Sequence, residues 1–559
     1  MGGEDLPVET ARPRRRSAGG AGLLLALLAG LGLLEYGRAL ASPFSRDDAV
    51  HFAMTERWKR PPAQILDHFR EDFWAGEPDH GLYRPLTCAT IQATAWASGL
   101  SPRPLRAGNV LLLVATGLAA AALARRGGLS SGGAAALALL IVAHPLLSEA
   151  VLEVVSRGEL QATAFALVAA TLLYGKRRFP LLGALAAAAA FLLALLSKEG
   201  AFAALPALLL LLLPMRRHGF FAPALLLLAA VGVTLWMRVH VLGGAVGLDP
   251  RVVTTLDNCL VDQALGVRVL TGVANLGRFV GLLFWPARLS ADYSFAAIVP
   301  LHAPDGRFAL GAAALVAGGA WLVVALRRER RIEAFGLLLA GASWFLVSSI
   351  ATPIGTIFSE RVLCMPACGV LIALAAAADR IAGARAAAVR RAAAAVALAF
   401  VAALGVRTFV RAGDWRNEAT LYTAALSVAP ESARVQCTVA QWLHEAKDPI
   451  GAGARARRAL EIKPDYRKPM SELGRLAFET WRAQRQPQFL AQADVWFWLA
   501  ANAPGSDADD ARNLGQIDEA VRSFGVERAD LERIALAIAD AHAGQPLYEK
   551  LRIAFAAQH

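Results

Sequence analysis

Apolar residues in this chain come in runs of membrane length, separated by short basic or polar breaks, and the pattern changes once, near residue 413. The first run, 21–34, follows Arg12, Arg14, Arg15 and Arg16 and closes on Ala39-Leu40-Ala41. That is the shape of a secretory signal or of a retained anchor; the many runs that follow favour retention, and both readings put Ser42 outside the cytoplasm. Further runs occupy 108–123, 133–147, 160–174, 181–196, 202–213, 221–239, 309–326, 334–350, 362–378 and 392–410. A helix crossing the hydrocarbon needs about 20 residues, or somewhat fewer with charged anchors. Basic groups at Arg125-Arg126, 176–178, Arg216-Arg217, 327–331 and 380–391 fall on alternate loops, which assigns those loops to the cytoplasm. The stretch 265–285 is apolar enough to cross, yet a crossing there would place 327–331 outside. Its Arg268, Asn275 and Arg278 recur at helical spacing, so it is expected to lie along the interface or to bury those groups against other helices. The count is about 11 crossings, amino end in and carboxyl end out.

Beyond residue 413 polar residues recur at helical periods, and breaks fall at Pro430, Pro464 and Pro504, intervals of 34 and 40 residues. A 34-residue period with small side chains where helices touch (Ala440, Ala452, Ala459, then Leu473-Gly474) reads as a tetratricopeptide-like repeat; the longer interval implies an insertion around 482–488. The expected fold is all-α: a cytoplasmic tail over 1–20, a multi-pass membrane bundle over 21–412 with its first outer loop at 42–106, and an extracytoplasmic helical-repeat domain over 413–559.

Composition supports lipid as the solvent. Of 559 residues, 56% are hydrophobic and 18% charged, and the mean hydropathy is +0.44. The net charge of +12 does not point to nucleic acid, because the cations cluster between apolar runs as cytoplasmic anchors do. Among five cysteines none has zinc-ligand spacing; Cys364 and Cys368 share a helix face, and Cys88 and Cys259 could pair if both lie outside.

On this topology several polar clusters fall on the outer side, each at a helix end: Asp47-Asp48; Tyr83-Arg84-Pro85; His144-Pro145 with Glu149, Glu153 and Arg157; Lys198-Glu199; Asp292-Tyr293; and Glu360-Arg361. Any one alone would serve as an interfacial anchor, but convergence on one face marks a substrate path, since burying ionisable groups is costly. Arg84, Arg157, Lys198 and Arg361 suit phosphate, the arginines through a bidentate fork and the lysine as a point charge. Asp47 and Asp48 can take a proton from an attacking hydroxyl or hold a divalent cation between them; no cofactor beyond such a cation is expected from the pattern.

The order Phe44-x-x-Asp47-Asp48, Asp72-Phe73-Trp74, Tyr83-Arg84-Pro85-Leu86, His144-Pro145-x-x-x-Glu149-Ala150-Val151, Ser197-Lys198-Glu199, Leu289-Ser290-x-Asp292-Tyr293-Ser294 and Glu360-Arg361-Val362-Leu363-x-x-Pro366 resembles the transmembrane and tetratricopeptide-repeat family of O-mannosyltransferases. That family belongs with the C-type glycosyltransferases, multi-pass enzymes that use polyprenyl- or dolichyl-phosphate sugars. The resemblance covers roughly residues 44–366. It implies Asp47 as catalytic base with Asp48 beside it and Glu149 orienting acceptor or donor. Arg84, Arg157, Lys198 and Arg361 would face the donor phosphate, and Tyr83, His144, Glu199, Asp292 and Glu360 would position acceptor or sugar. Two departures accompany it: the repeat tail is short, and Asn109 is followed by apolar residues where relatives commonly have His. The implied partners are a polyprenyl-phosphate-linked sugar, membrane lipids, and an acceptor protein or glycan bound by the helical repeats. High Ala content and the short tail point to a bacterial inner membrane with a periplasmic site. An oligosaccharide ligase or polymerase should lean on basic residues rather than Asp-Asp at the first helix end. A non-enzymatic transporter or scaffold would carry ionisable residues mid-span and internal duplication.

Overall fold

The computed structural model describes residues 18–53, 56–74, 81–174, 181–213, 217–243, 253–505 and 508–541. The arginines at 12–16, the basic loop 176–178, Arg216 and residues 542–559 lie outside the described residues. Within them the chain is helical, and the sole β feature is an isolated bridge between Phe295 and Ile298. The membrane half begins with α1 (Ala18–Tyr36). The outer loop follows with α2 (Asp47–Ala53), two 3-10 turns (Glu56–Lys59 and Pro62–Arg70) and α3 (Pro85–Ser98). Then come α4 (Pro102–Arg126), α5 (Ser131–Ala143), α6 (Ser148–Leu152), α7 (Arg157–Leu173), α8 (Leu181–Ser197), α9 (Leu205–Leu212) and α10 (Arg217–Val241). The half closes with α11 (Leu265–Phe284), α12 (Gly306–Arg327), α13 (Arg331–Val347), α14 (Cys364–Gly383) and α15 (Ala387–Asp414).

Seven of the described helices are long and apolar enough to cross a membrane, and an eighth follows if α5 and the bent segment Pro145–Leu152 form one span. Other expected passes are shorter, α7 and α13 having 17 residues each. Ion pairs and caps sort the helix ends into two groups. At one end Asp379 accepts from Ser130 N at 2.8 Å and Arg380 Nε pairs with Glu333 at 2.9 Å, joining α14 to the start of α5 and to α13. At the other end lie the polar clusters described below.

The stretch left outside the crossing count, α11, has the length and composition of a span. Its two ends nevertheless meet the same end of the bundle. Arg268, near its start, donates to the carbonyls of Ser349 and Ile350 just past α13, whereas the Leu283 carbonyl accepts from His144 Nε2 just past α5, at 2.9 Å. Asn275 donates to Ile357 O between them. Arg268 and Asn275 are thereby satisfied by loop carbonyls, as an apolar environment requires, while the Arg278 guanidinium lies over the Phe358 ring. Contact between α11 and α12 rests on two glycines: a Cβ on Gly277 would lie 2.0 Å from Arg307 O and one on Gly311 1.9 Å from Val273 O. Only bare backbones fit that crossing.

The helical tail runs through α16 (Glu418–Val428), α17 (Ala433–Glu445), α18 (Pro449–Ile462), α19 (Arg467–Gln484), α20 (Pro487–Ala501), α21 (Ala508–Phe524) and α22 (Arg528–Ala541). From α16 to α21 each packs on the next, and α17 also meets α19 as α20 meets α22, so the hairpins stack. Ala440, Ala452, Ala456 and Ala459 are fully buried in these seams, where small side chains let helices approach. Cys88 and Cys259, which could have paired, are free and buried, as are the other three cysteines.

Candidate active site

The turn that opens α2 builds one wall of the site. Arg46 holds a left-handed backbone (φ 56°), a conformation that costs a non-glycine residue about 1 kcal/mol or more. Beyond it, Asp47 and Asp48 occupy the first turn of α2 and diverge. Asp48 turns inward: its two oxygens accept from Val154 N at 2.8 Å and Val155 N at 2.9 Å, fastening the outer loop to the short turn ahead of α7. Burial first, and Glu153 second, push its carboxyl upward, while those two N–H groups pull it back. Asp47 stays a third exposed and pairs with Arg361 Nη1 at 2.9 Å. Burial raises its carboxyl, but Arg361 and then Arg46 outweigh that and hold it down at about 2. The two carboxylates therefore do not converge on a cation, and among the described residues no set of three or more His, Cys, Asp or Glu could hold a metal.

Arg361 is the hub. Besides Asp47 it pairs with Glu153, its Nε lies 3.8 Å from Glu149 Oε1, and its own N–H donates to Glu149 Oε2 at 3.0 Å. Glu149 also accepts from Ser359 Oγ at 3.1 Å and from Arg46 Nη1 at 3.0 Å. Three carboxylates and two guanidiniums so assembled fix the Arg361 fork toward the cavity in front of it.

That cavity has a volume of about 720 Å³. Asp47, Ser156 and Arg361 line one part of it; Arg84, Lys198, Glu199, Glu159 and Arg238 line another; Phe73 and Trp74 come from the outer loop, and Leu235, Leu346, Val347 and Met365 are apolar. Glu199 binds Arg84 Nε at 2.9 Å, Arg238 Nη1 at 3.3 Å and the Tyr83 N–H at 3.2 Å. Lys198 pairs with Glu159, and burial, the larger effect, lowers its ammonium despite that partner. The chain can bring these together because Gly158 has no side chain: a Cβ there would sit 2.7 Å from Ser197 O and 2.9 Å from Thr87 Oγ1.

Other expected site residues are placed elsewhere. The Arg157 guanidinium is buried and used up by Asn109 Oδ1 (2.9 Å), Thr90 O (2.8 Å), Thr94 Oγ1 (3.1 Å) and Leu105 O (2.8 Å); it ties α3, α4 and α7 and does not line the cavity. His144 caps the turn at 145–147 through Nδ1 and donates from Nε2 to Leu283 O, again away from the cavity. The Tyr83 phenol donates to Phe69 O at 2.9 Å. Glu360 is buried against the Tyr293 hydroxyl (2.8 Å), Ser290 N (2.7 Å) and Arg411 (3.5 Å). Asp292 accepts from Ser294 and, across to the tail, from Ser432 Oγ at 3.1 Å. Sequence reasoning passed over Arg46, Glu159, Arg238 and Asp257. An arginine near the outer end of an apolar helix, against the inside bias of the other cations, was the available signal for Arg238. Nothing in the sequence marked Asp257.

No family model matches the chain, and no solved structure does. Curated relatives do. Protein O-mannosyl-transferase TMTC1 of Homo sapiens is 31% identical over 150 residues, 26% of this chain and 17% of that protein. Its Mus musculus counterpart is 31% identical over 175 residues, 30% of this chain and 18% of that protein. Protein O-mannosyl-transferase F38B6.6 of Caenorhabditis elegans is 25% identical over 461 residues, 79% of this chain and 63% of that protein. The chain thus spans less than two thirds of the relatives it matches, and it is a distant homologue of proteins named as O-mannosyltransferases.

Proposed function

We propose that this protein is a membrane glycosyltransferase of the transmembrane and tetratricopeptide-repeat O-mannosyltransferase kind. On this reading it moves a sugar, mannose by analogy with its relatives, from a polyprenyl phosphate to a hydroxyl acceptor, a protein Ser or Thr. The observation that carries the proposal is the cavity itself, which gathers Asp47, the most exposed of its lining carboxylates, with the cations Arg84, Lys198, Arg238 and Arg361 beside an apolar wall. Cations serve a departing phosphate, the apolar wall suits an isoprenoid, and a carboxylate serves a hydroxyl.

The acceptor oxygen attacks the anomeric carbon, the bond from that carbon to the phosphate oxygen breaks, and the electron pair leaves with the lipid phosphate. Attack opposite the leaving group inverts the centre. The hydroxyl proton passes to Asp47. An unloaded Asp47 held near 2 is a weak base; a donor phosphate competing for Arg361 would loosen the Asp47–Arg361 pair and raise its basicity as the substrate arrives. Glu149 and Glu153 keep Arg361 oriented meanwhile. The site and the helical tail would face the periplasm of a bacterium, and the tail would recognise the acceptor.

The test is transfer by the purified protein from a panel of radiolabelled polyprenyl-phosphate sugars. Label from one donor is expected on a hydroxyl-bearing acceptor with inverted configuration. Movement of preassembled lipid-linked glycan instead would identify a ligase or polymerase, and no transfer from any donor would remove the enzymatic reading.

A further inference from the structure

Two loops and the start of the tail meet at the mouth of the cavity. Asp257, from the loop before α11, lines the cavity. Arg434, in the first turn of α17, reaches across the seam to pair with Asp257 Oδ1, and its other nitrogen lies 3.8 Å from Asp292 Oδ2. Thr254 Oγ1 holds the second Asp257 oxygen at 2.5 Å. Arg434 is the last and smallest of the influences on the Asp47 carboxyl, which Arg361 and Arg46 hold low without it.

Docking alone does not account for this pair. Apolar contact already joins tail and membrane half, with Leu256 and Phe295 packed on Ala433, Cys437 and Tyr466. Ser432 and Ala433 add hydrogen bonds to Asp292 Oδ1 (3.1 Å) and Phe295 O (3.3 Å). The Arg434 and Asp257 side chains remain 34% and 28% exposed, and ion pairs in that setting contribute little to stability. An exposed donor and acceptor held side by side at a cavity mouth complement the N–H and C=O of an extended backbone. Behind them lie the stacked hairpins of the tail, and stacked helix pairs as a class bind extended chains.

We propose that Arg434 is a positioning residue: it sets the Asp257 carboxylate at the cavity mouth, and an extended polypeptide lying along the tail passes over this seam so that its hydroxyl side chain reaches Asp47. This rests on the glycosyltransferase reading for the chemistry but not for the binding. The experiment measures both on the full chain in nanodiscs. Binding of fluorescein-labelled Ser/Thr-containing extended peptides is followed by anisotropy, and turnover of radiolabelled polyprenyl-phosphate mannose is followed with and without peptide. Arg434→Ala should weaken peptide binding and raise the peptide KM by about tenfold. Peptide-independent donor hydrolysis and kcat at saturating peptide should stay within about twofold of wild type. Arg434→Lys should recover most of the loss. Unchanged peptide affinity in Arg434→Ala, no peptide binding by the wild type, or parallel loss of donor hydrolysis with no recovery by Arg434→Lys would each overturn the proposal. If peptide binding behaves as expected while no donor is turned over by the wild type, the transferase reading fails and the seam stands.

Discussion

Asp47 and Asp48 are neighbours in sequence with opposite duties. Asp48 spends both oxygens on backbone N–H groups, whereas Asp47 faces the cavity beside Arg361. On the proposed mechanism Asp47→Asn keeps the size and removes the base, so transfer should fall by about two to four orders of magnitude with donor affinity little changed. Asp48→Asn replaces an acceptor by an amide that meets an N–H, so it should cost about 1–3 kcal/mol of stability and change turnover mainly through folded yield. Chelation by EDTA should leave both phenotypes as they are, since the two carboxylates do not converge. Comparing thermal denaturation with transfer rates for the two variants separates the roles; equal rate losses at equal stability would contradict them. The adjacent aspartates are legible in the sequence. Their divergence is not, because it depends on the left-handed turn at Arg46 and on two N–H groups more than a hundred residues away.

Among the elements, the stacked tail helices carry their own pH response. Burial pushes the Asp494 carboxyl in α20 up to about 6, with Arg528 at 3.3 Å offsetting only part of it. The folded state then holds a proton that the unfolded state releases near 3.9, so stability falls as pH rises from about 4 to about 6. Burial lowers His444 in α17, but hydrogen bonds to Glu479 and Glu472 outweigh that and raise it. Its stabilising contribution is therefore present below about 6.5 and is lost as pH climbs through the raised value. Both groups act in one direction. Hydrogen-exchange protection of α17–α20, corrected for intrinsic rate, should be greater at pH 5 than at pH 8, and Asp494→Asn should remove the part between 4 and 6. Greater protection at pH 8 would contradict the assignment. The breaks at Pro430, Pro464 and Pro504 fall between these helices, because proline cannot continue a helix. The behaviour of α11 was harder, since its composition meets the requirements of a span while both its ends meet one end of the bundle.

For the whole molecule, orientation is the testable claim. The ends joined by Asp379, Glu333 and Arg380 are expected in the cytoplasm and the cavity end with the tail outside, following the bias of the basic loops. All five native cysteines are buried, so the labelling background is low. In intact spheroplasts Ile450→Cys in the tail should react with an impermeant thiol reagent and Glu329→Cys should not. Both side chains are more than 80% exposed, so a reversed pattern would invert the orientation and take the site's placement with it.

By itself the sequence determined that the chain is apolar enough for lipid to be its solvent and that its fold is all-α, with more polar helices after residue 413. Hydrophobic content, run length and period are local or additive properties, readable without knowing what touches what. It also pointed to Asp47, Arg84, Lys198 and Arg361, which sit at helix ends where a charge has few other uses. Only the tertiary structure decided which charges face the cavity. Arg157 is absorbed by carbonyls of α3 and α4, while Arg238, Glu159 and Asp257 line the wall. A charged side chain in a membrane protein must find partners, and whether those are backbone groups or substrate depends on distances between segments far apart in the chain.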